Sequence, residues 1–205
     1  MSTITTYQEL KVAIQNYAKR SDILSMLDTF IDLAEVDIWA ALRVREMEAN
    51  ATATMGTSDR FETLPLGFIK MRRLQLVADG LYCDLDSRDL KNMRIISEPG
   101  IPFEYTITDV IEFNRVPDDN YQLEMQYFRE LTPLTASTPE NDILTNHPMI
   151  YLSACMRHFC IWALQHDVAE HWKSVFDRQV ARANRKSRQG RYGPAPTSTI
   201  HGMVV

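Results

Sequence analysis

The chain has 205 residues, 45% of them hydrophobic and 24% charged, with a formal net charge of −5. This is the composition of a folded protein with one ordinary core and a smaller appendage, and it excludes a disordered or collagen-like chain. No apolar run approaches the roughly 18 residues of a membrane-spanning helix, MSTITTYQELK lacks the basic-then-apolar order of a secretory leader, and Cys83, Cys155 and Cys160 have no disulfide-framework spacing, so synthesis in a reducing cytoplasm is expected.

The first elements read as helical. Thr6 and Glu9 have the spacing of a capping box, in which the hydroxyl and the carboxylate satisfy backbone N–H groups reciprocally. Leu10, Ala13, Ile14, Tyr17 and Ala18 follow at helical intervals. Ser21 or Asp22 can restart a helix, with Asp28 as a second candidate cap. Ile23, Leu27, Phe30, Ile31, Ala34, Ile38 and Leu42 then form one stripe at steps of three and four. The pattern predicts an αα-hairpin whose apolar faces are buried on each other and on a later element.

LRVREME, residues 42–48, is where that period ends. An alternating small-apolar and polar run over 49–54 predicts a strand, Gly56 to Asp59 a turn, and Arg60 to Leu64 its return strand. Met71 to Val77 and Leu81-Tyr82 flank Asp79-Gly80, whose residues both tolerate positive φ, so a hairpin is expected. Ser87 is a candidate cap for a short helix to about Met93. Strands are predicted over Phe103–Thr108, Val110–Arg115 and Tyr121–Phe128, the last with the clearest alternation.

TPLTASTPEND, residues 132–142, reads as a connector. Asn146 is a candidate cap, with Pro148 tolerated at an early helical position because its missing N–H would be unpaired there. Ile150, Leu152, Ala154, Cys155, Phe159, Trp162 and Ala163 supply a broad apolar face. A last helix is expected from about Asp167, carrying Val168, Trp172, Val175, Phe176, Val180 and Ala183 and ending at Gly190 or Gly193-Pro194. The segment after Pro194 has no helical period and reads as an extended tail.

Catalytic chemistry finds little support. Cys155, His158 and Cys160 are the nearest approach to a metal set, but Cys155 and Cys160 are five apart and no second ligand pair accompanies them. Phosphate loop, dinucleotide fingerprint and nucleophile elbow are all missing. No catalytic residue, metal or cofactor is expected. The charge is uneven instead: Lys173 to Tyr192 holds seven cations and one acid, a net +6, which leaves −11 for the rest. Arg178, Arg182, Arg185, Lys186, Arg188 and Arg191 are candidate partner contacts, for protein or for nucleic-acid phosphates. Arg43, Arg45, Glu46 and Glu48 are candidates to fix the joint at LRVREME or a subunit contact.

Taken in order, TYQEL at 6–10, FIDLAE at 30–35, LRVREME at 42–48, LPLGFIKMRRLQL at 64–76 and LTNHPMIYLSAC at 144–155 resemble the head-to-tail connector and adaptor proteins of tailed bacteriophages, in particular the short-tailed-phage type. The resemblance implies a structural virion protein, made in the host cytoplasm, forming a ring of about twelve copies beneath the portal protein. Such a ring extends the DNA channel, passes packaged DNA without sequence-specific binding, and presents a docking surface to the downstream tail or nozzle protein. A C-terminal arm on the portal is implied as well, which makes Ile200, Met203, Val204 and Val205 candidate portal contacts. The alternatives are another connector ring (a stopper or nozzle) and a small DNA-binding protein using residues 178–191.

The expected fold is α+β. An N-terminal helical hairpin (1–43) and two long C-terminal helices (132–193) form a bundle, a small antiparallel β-domain (44–131) is inserted between them, and residues 194–205 form an extended tail. No membrane association and no enzymatic activity are expected.

Overall fold

The computed structural model describes residues 4–190; Arg191, Ile200, Met203, Val204 and Val205 lie outside the described residues. The chain divides into two compact units, residues 1–46 with 132–205, and residues 47–131. It is mixed α+β, with five α-helices and two small sheets among the described residues.

In the first unit α1 (Tyr7–Ala18) starts at the expected capping box, with the Thr6 hydroxyl accepting from Glu9 N and the Glu9 carboxylate accepting from Thr6 N. A short 3-10 turn, Leu24–Met26, leads into α2 (Leu27–Ala41). The predicted stripe holds: Ile23, Leu27, Phe30, Ile31, Ala34, Ile38 and Leu42 are all buried. Three details differ. Met26 precedes α2 without a side-chain cap, and Asp28 lies in its first turn, accepting from Tyr7 Oη at 2.5 Å and Lys11 Nζ at 2.6 Å. Tyr17 is more than half exposed, its ring edge-on to Trp172 at 5.9 Å. And α1 and α2 pack chiefly on a later helix, α4 (Pro148–Trp162), rather than on each other.

That helix is buried on every face from Ile150 to Met156, because the run is apolar or small all round, as a central helix must be. Besides α1 and α2 it receives α3 (Asp142–Asn146) and α5 (His166–Gln189). Pro148 occupies the first turn of α4 as expected, but the cap lies one element earlier. Asn141 closes α3 by accepting from Leu144 N at 2.8 Å, while Asn146 is the last residue of α3. Asn141 wins because an Asx side chain in extended backbone just ahead of a turn reaches the free N–H, whereas Asn146 is already helical. α5 starts one residue before Asp167 and ends at Gly190.

The second unit holds two four-stranded sheets. One has the order β1 (Glu48–Met55), β8 (Tyr121–Arg129), β3 (Phe68–Ala78), β4 (Leu81–Asp84), antiparallel throughout. The other is β2 (Phe61–Thr63), β7 (Val110–Phe113), β6 (Glu104–Ile107), β5 (Asp86–Ser87), with β5 and β6 parallel. The Asp79-Gly80 hairpin forms, at φ of 51° and 76°. Leu74, Leu76, Leu123 and Met125 of the first sheet and Ile111 and Phe113 of the second share one apolar cluster.

Two expectations fail here. The strand after Gly56–Asp59 does not return along β1; it pairs with β7 in the other sheet, because β8 takes up the whole length of β1 in an unbroken register. No helix follows Ser87. Asp86 N donates to Phe103 O at 2.9 Å and Arg88 N to Tyr105 O at 2.8 Å, so the backbone on both sides of Ser87 is held extended along residues 103–105 and does not turn into a helix.

Candidate partner-contact site

The first unit gathers much of the sequence's charged material at one place. On α5, Phe176, Val180, Ala183 and Ser187 are buried at steps of four, three and four. The same geometry turns Arg178, Arg182, Arg185, Lys186 and Arg188 outward, and all five are exposed. The ion pair recorded on α5 is a loose one, Lys173 with Glu170 at 4.0 Å. Among the described residues none of the five cations has an acidic partner. The charges of these five side chains are thus not used in ion pairs among the described residues.

LRVREME meets this helix. Arg43 folds back over the end of α2, its guanidinium donating to the carbonyls of Trp39 at 2.7 Å, Leu42 at 2.5 Å and Ala40 at 3.1 Å. Helix C-termini leave carbonyls without intrahelical donors, and Arg43 supplies them. Its backbone N–H donates to Asn184 Oδ1 at 2.7 Å, while Asn184 Nδ2 donates to Ala41 O at 3.1 Å, so α5 clasps the joint from the other side. Arg43 is therefore structural. Burial lowers the pKa of its guanidinium from the ordinary value, which leaves an arginine charged all the same.

Beyond Arg43, a 3-10 turn spans Arg45–Met47. Arg45 and Glu46 line a cleft of about 140 Å³ with Asn146, His147, Ala183 and Lys186. A second cleft of about 260 Å³ shares those last four residues and adds Arg182 and Gln179. The two form one polar trough between the α3–α4 junction and α5. Burial pushes the His147 imidazole below its ordinary pKa; Glu46 opposes that shift and Lys186 adds to it. Neutral at physiological pH, His147 leaves the trough with the cations of α5 and Arg45 set against Glu46.

Of the residues singled out in the sequence, then, Arg45, Glu46, Arg182 and Lys186 come together. Arg178, Arg185 and Arg188 extend the same helix's outer surface. Glu48 does not join them: it lies in the second unit, where Arg72 Nη1 reaches its carboxylate at 2.6 Å. Cys155, His158 and Cys160 do not converge as ligands. Cys155 is fully buried, with burial raising its thiol pKa, and His158 Nε2 sits 2.9 Å from Asp37 Oδ2, which also accepts from Arg157 at 2.8 Å.

Sequence reasoning missed Glu35. It is buried, and its Oε1 accepts from Leu134 N at 2.8 Å and from Tyr151 Oη at 3.0 Å; Asn141 Nδ2 donates in turn to Tyr151 Oη at 2.7 Å. The network ties α2 and α4 to the 132–141 connector. The available signal was an acid at step four from Ile31 and step three from Ile38, inside the apolar stripe.

Residues 5–199 match the family described as SU10 adaptor protein. The chain belongs to this family of phage head-to-tail adaptors. No curated protein matches it. For an adaptor, the trough and the outer surface of α5 are the natural place to look for a partner contact, since a protein that works by assembly needs charged and shaped surfaces rather than a reactive pocket. No helix among the described residues is long and apolar enough to cross a membrane.

Proposed function

We propose that the chain assembles as a ring, of twelve copies, beneath the portal of a tailed phage. There it extends the DNA channel and offers the docking surface for the downstream tail or nozzle protein, as a virion component without enzymatic activity. The observation that carries this reading is the row of exposed α5 cations with no acidic partner among the described residues, beside a trough that includes Arg45 and Glu46. Charge left unsatisfied within a protein is suited to a complementary partner surface. The chain outside Lys173–Tyr192 is acidic, at −11, so a neighbouring copy supplies complementary charge, and an acidic wall lets DNA slide without sticking. The tail, with Ile200, Met203, Val204 and Val205, is assigned to the portal, and Arg191, outside the described residues, to a partner contact.

The test is the double reversal Arg182→Glu with Arg185→Glu, assayed for ring formation on purified portal. Both side chains are exposed, so the fold and its circular dichroism stay unchanged while assembly falls at least tenfold. Assembly equal to the parent's would contradict the reading.

The same cations favour one competitor, a DNA-binding role. That reading expects duplex affinity falling steeply with salt and abolished by the same reversal. The adaptor reading expects the loss in assembly.

A further inference from the structure

The first sheet of the second unit has two open edges that match one another. β1 is antiparallel to β8, β8 to β3, and β3 to β4. With four strands alternating in direction, β1 and β4 run oppositely. A copy set beside the first in the same orientation therefore brings β4 alongside β1 as an antiparallel partner, and its own β1 stays open for the next copy.

Over Ala49–Met55, β1 lacks the devices that usually keep a strand from pairing with another chain, which are short length, edge charges, proline, bulges or a covering segment. β4 is only four residues long and carries Asp84, whose charge Arg73 meets at 2.7 Å within the chain. From Ala49 to Met55, β1 has no charged residue and no proline, and its register with β8 is unbroken. Its outward side chains, Asn50, Thr52 and Thr54, are small and exposed. All four residues of β4 are exposed, Leu81 at 69% and Tyr82 at 60%. Among the described residues, the backbone of Ala49–Met55 pairs with β8 alone and that of Leu81–Asp84 with β3 alone.

We propose that β4 of one copy adds to β1 of the next, so that the sheets join head to tail around the ring. The proposal rests on the ring reading above and names a contact through which copies are held. A repeating heterologous contact of this kind closes into a ring when its rotation permits, and its backbone ladder gives the contact a register.

That register follows from the pairings. Cys83 stands opposite Leu76, Leu76 opposite Leu123, and Leu123 opposite Ala53. Partners across a ladder point to one face, so a neighbour's Cys83 belongs on the face of β1 that carries Ala49, Ala51 and Ala53, level with Ala53 when the sheets join without offset. The opposite face carries Asn50, Thr52 and Thr54. Asp84 falls level with Thr52 and meets no like charge there.

The experiment uses the exposed native Cys83. Single variants Ala49→Cys, Ala51→Cys, Ala53→Cys, Thr52→Cys and Thr54→Cys of the full chain are assembled on portal, imaged for rings, and treated with a mild oxidant. The expected result is a denaturant-resistant ladder of multimers from one of the three alanine positions, with Ala53 the leading one. Thr52→Cys and Thr54→Cys give none, and Cys83→Ser abolishes the ladder. Rings that form normally but cross-link at none of the alanine positions overturn the proposal and leave the ring reading standing. If the unaltered chain forms no ring with portal, the ring reading fails and this proposal with it.

Discussion

The Tyr151 hydroxyl donates to the carboxylate of Glu35 over 3.0 Å, joining the central helix α4 to α2 inside the first unit. Glu35 is only 4% exposed, and its remaining recorded donor is the backbone N–H of Leu134 on the connector. Removing a partner from such a buried set leaves unsatisfied groups, which costs about 1–3 kcal/mol. Glu35→Ala therefore lowers stability by that order, measured by urea unfolding. Glu35→Gln, whose carbonyl still accepts both hydrogen bonds, loses less.

The same carboxyl makes stability depend on pH. Burial raises the Glu35 pKa above its ordinary 4.5, so the folded chain holds a proton that the unfolded chain releases. The group's contribution is fully present below about 4.5 and is lost as pH rises through the raised folded value. Stability of the parent relative to Glu35→Gln should accordingly increase as pH falls from neutrality to 4.5. Two unfolding curves whose difference stays constant over that range would contradict the assignment. Asp28 acts in the opposite sense: hydrogen bonds from Lys11, then Tyr7, hold it below 3.8, so its contribution is lost only at lower pH.

Arg43 and Asn184 close the end of α2 together. Asn184→Ala removes one acceptor and one donor and should cost about 1 kcal/mol, while Arg43→Ala exposes three carbonyls and should cost more. Arg43→Lys recovers part of the loss, since an ammonium cannot span the same carbonyls as a planar guanidinium. Thermal melts of the three variants rank them.

Thiol labelling separates the cysteines. Cys83 is exposed, whereas Cys155 and Cys160 are buried and burial raises both of their thiol pKa values. A maleimide should label one thiol per folded chain and all three only after unfolding. Rapid modification of Cys155 in the folded protein would contradict its place in the core.

Much of this arrangement is legible in the residues. The stripe from Ile23 to Leu42 and the Thr6–Glu9 box announce themselves, because helical spacing and capping are local effects. So does the Asp79-Gly80 hairpin, where positive φ is a property of two adjacent residues. Strand partners are not local. Nothing in Arg60 to Leu64 reveals that β7, fifty residues on, takes β2 while β8 takes β1. Ser87 carries a good cap, yet the backbone around it is held extended along β6. At the candidate site, the cationic helix and LRVREME are visible as charge, but their meeting across His147 depends on how α3, α4 and α5 pack. Glu35 is the one miss with a plain signal, an acid where the stripe requires an apolar residue.

The central claim is assembly beneath a portal, and the most direct measurement is the mass of the complex formed by purified chain and purified portal ring, taken by native mass spectrometry with electron micrographs of the same sample. Twelve copies added to each portal, seen as a second ring on its lower face, is the predicted result. A chain that stays separate from the portal at micromolar concentrations and adds no ring would contradict the account.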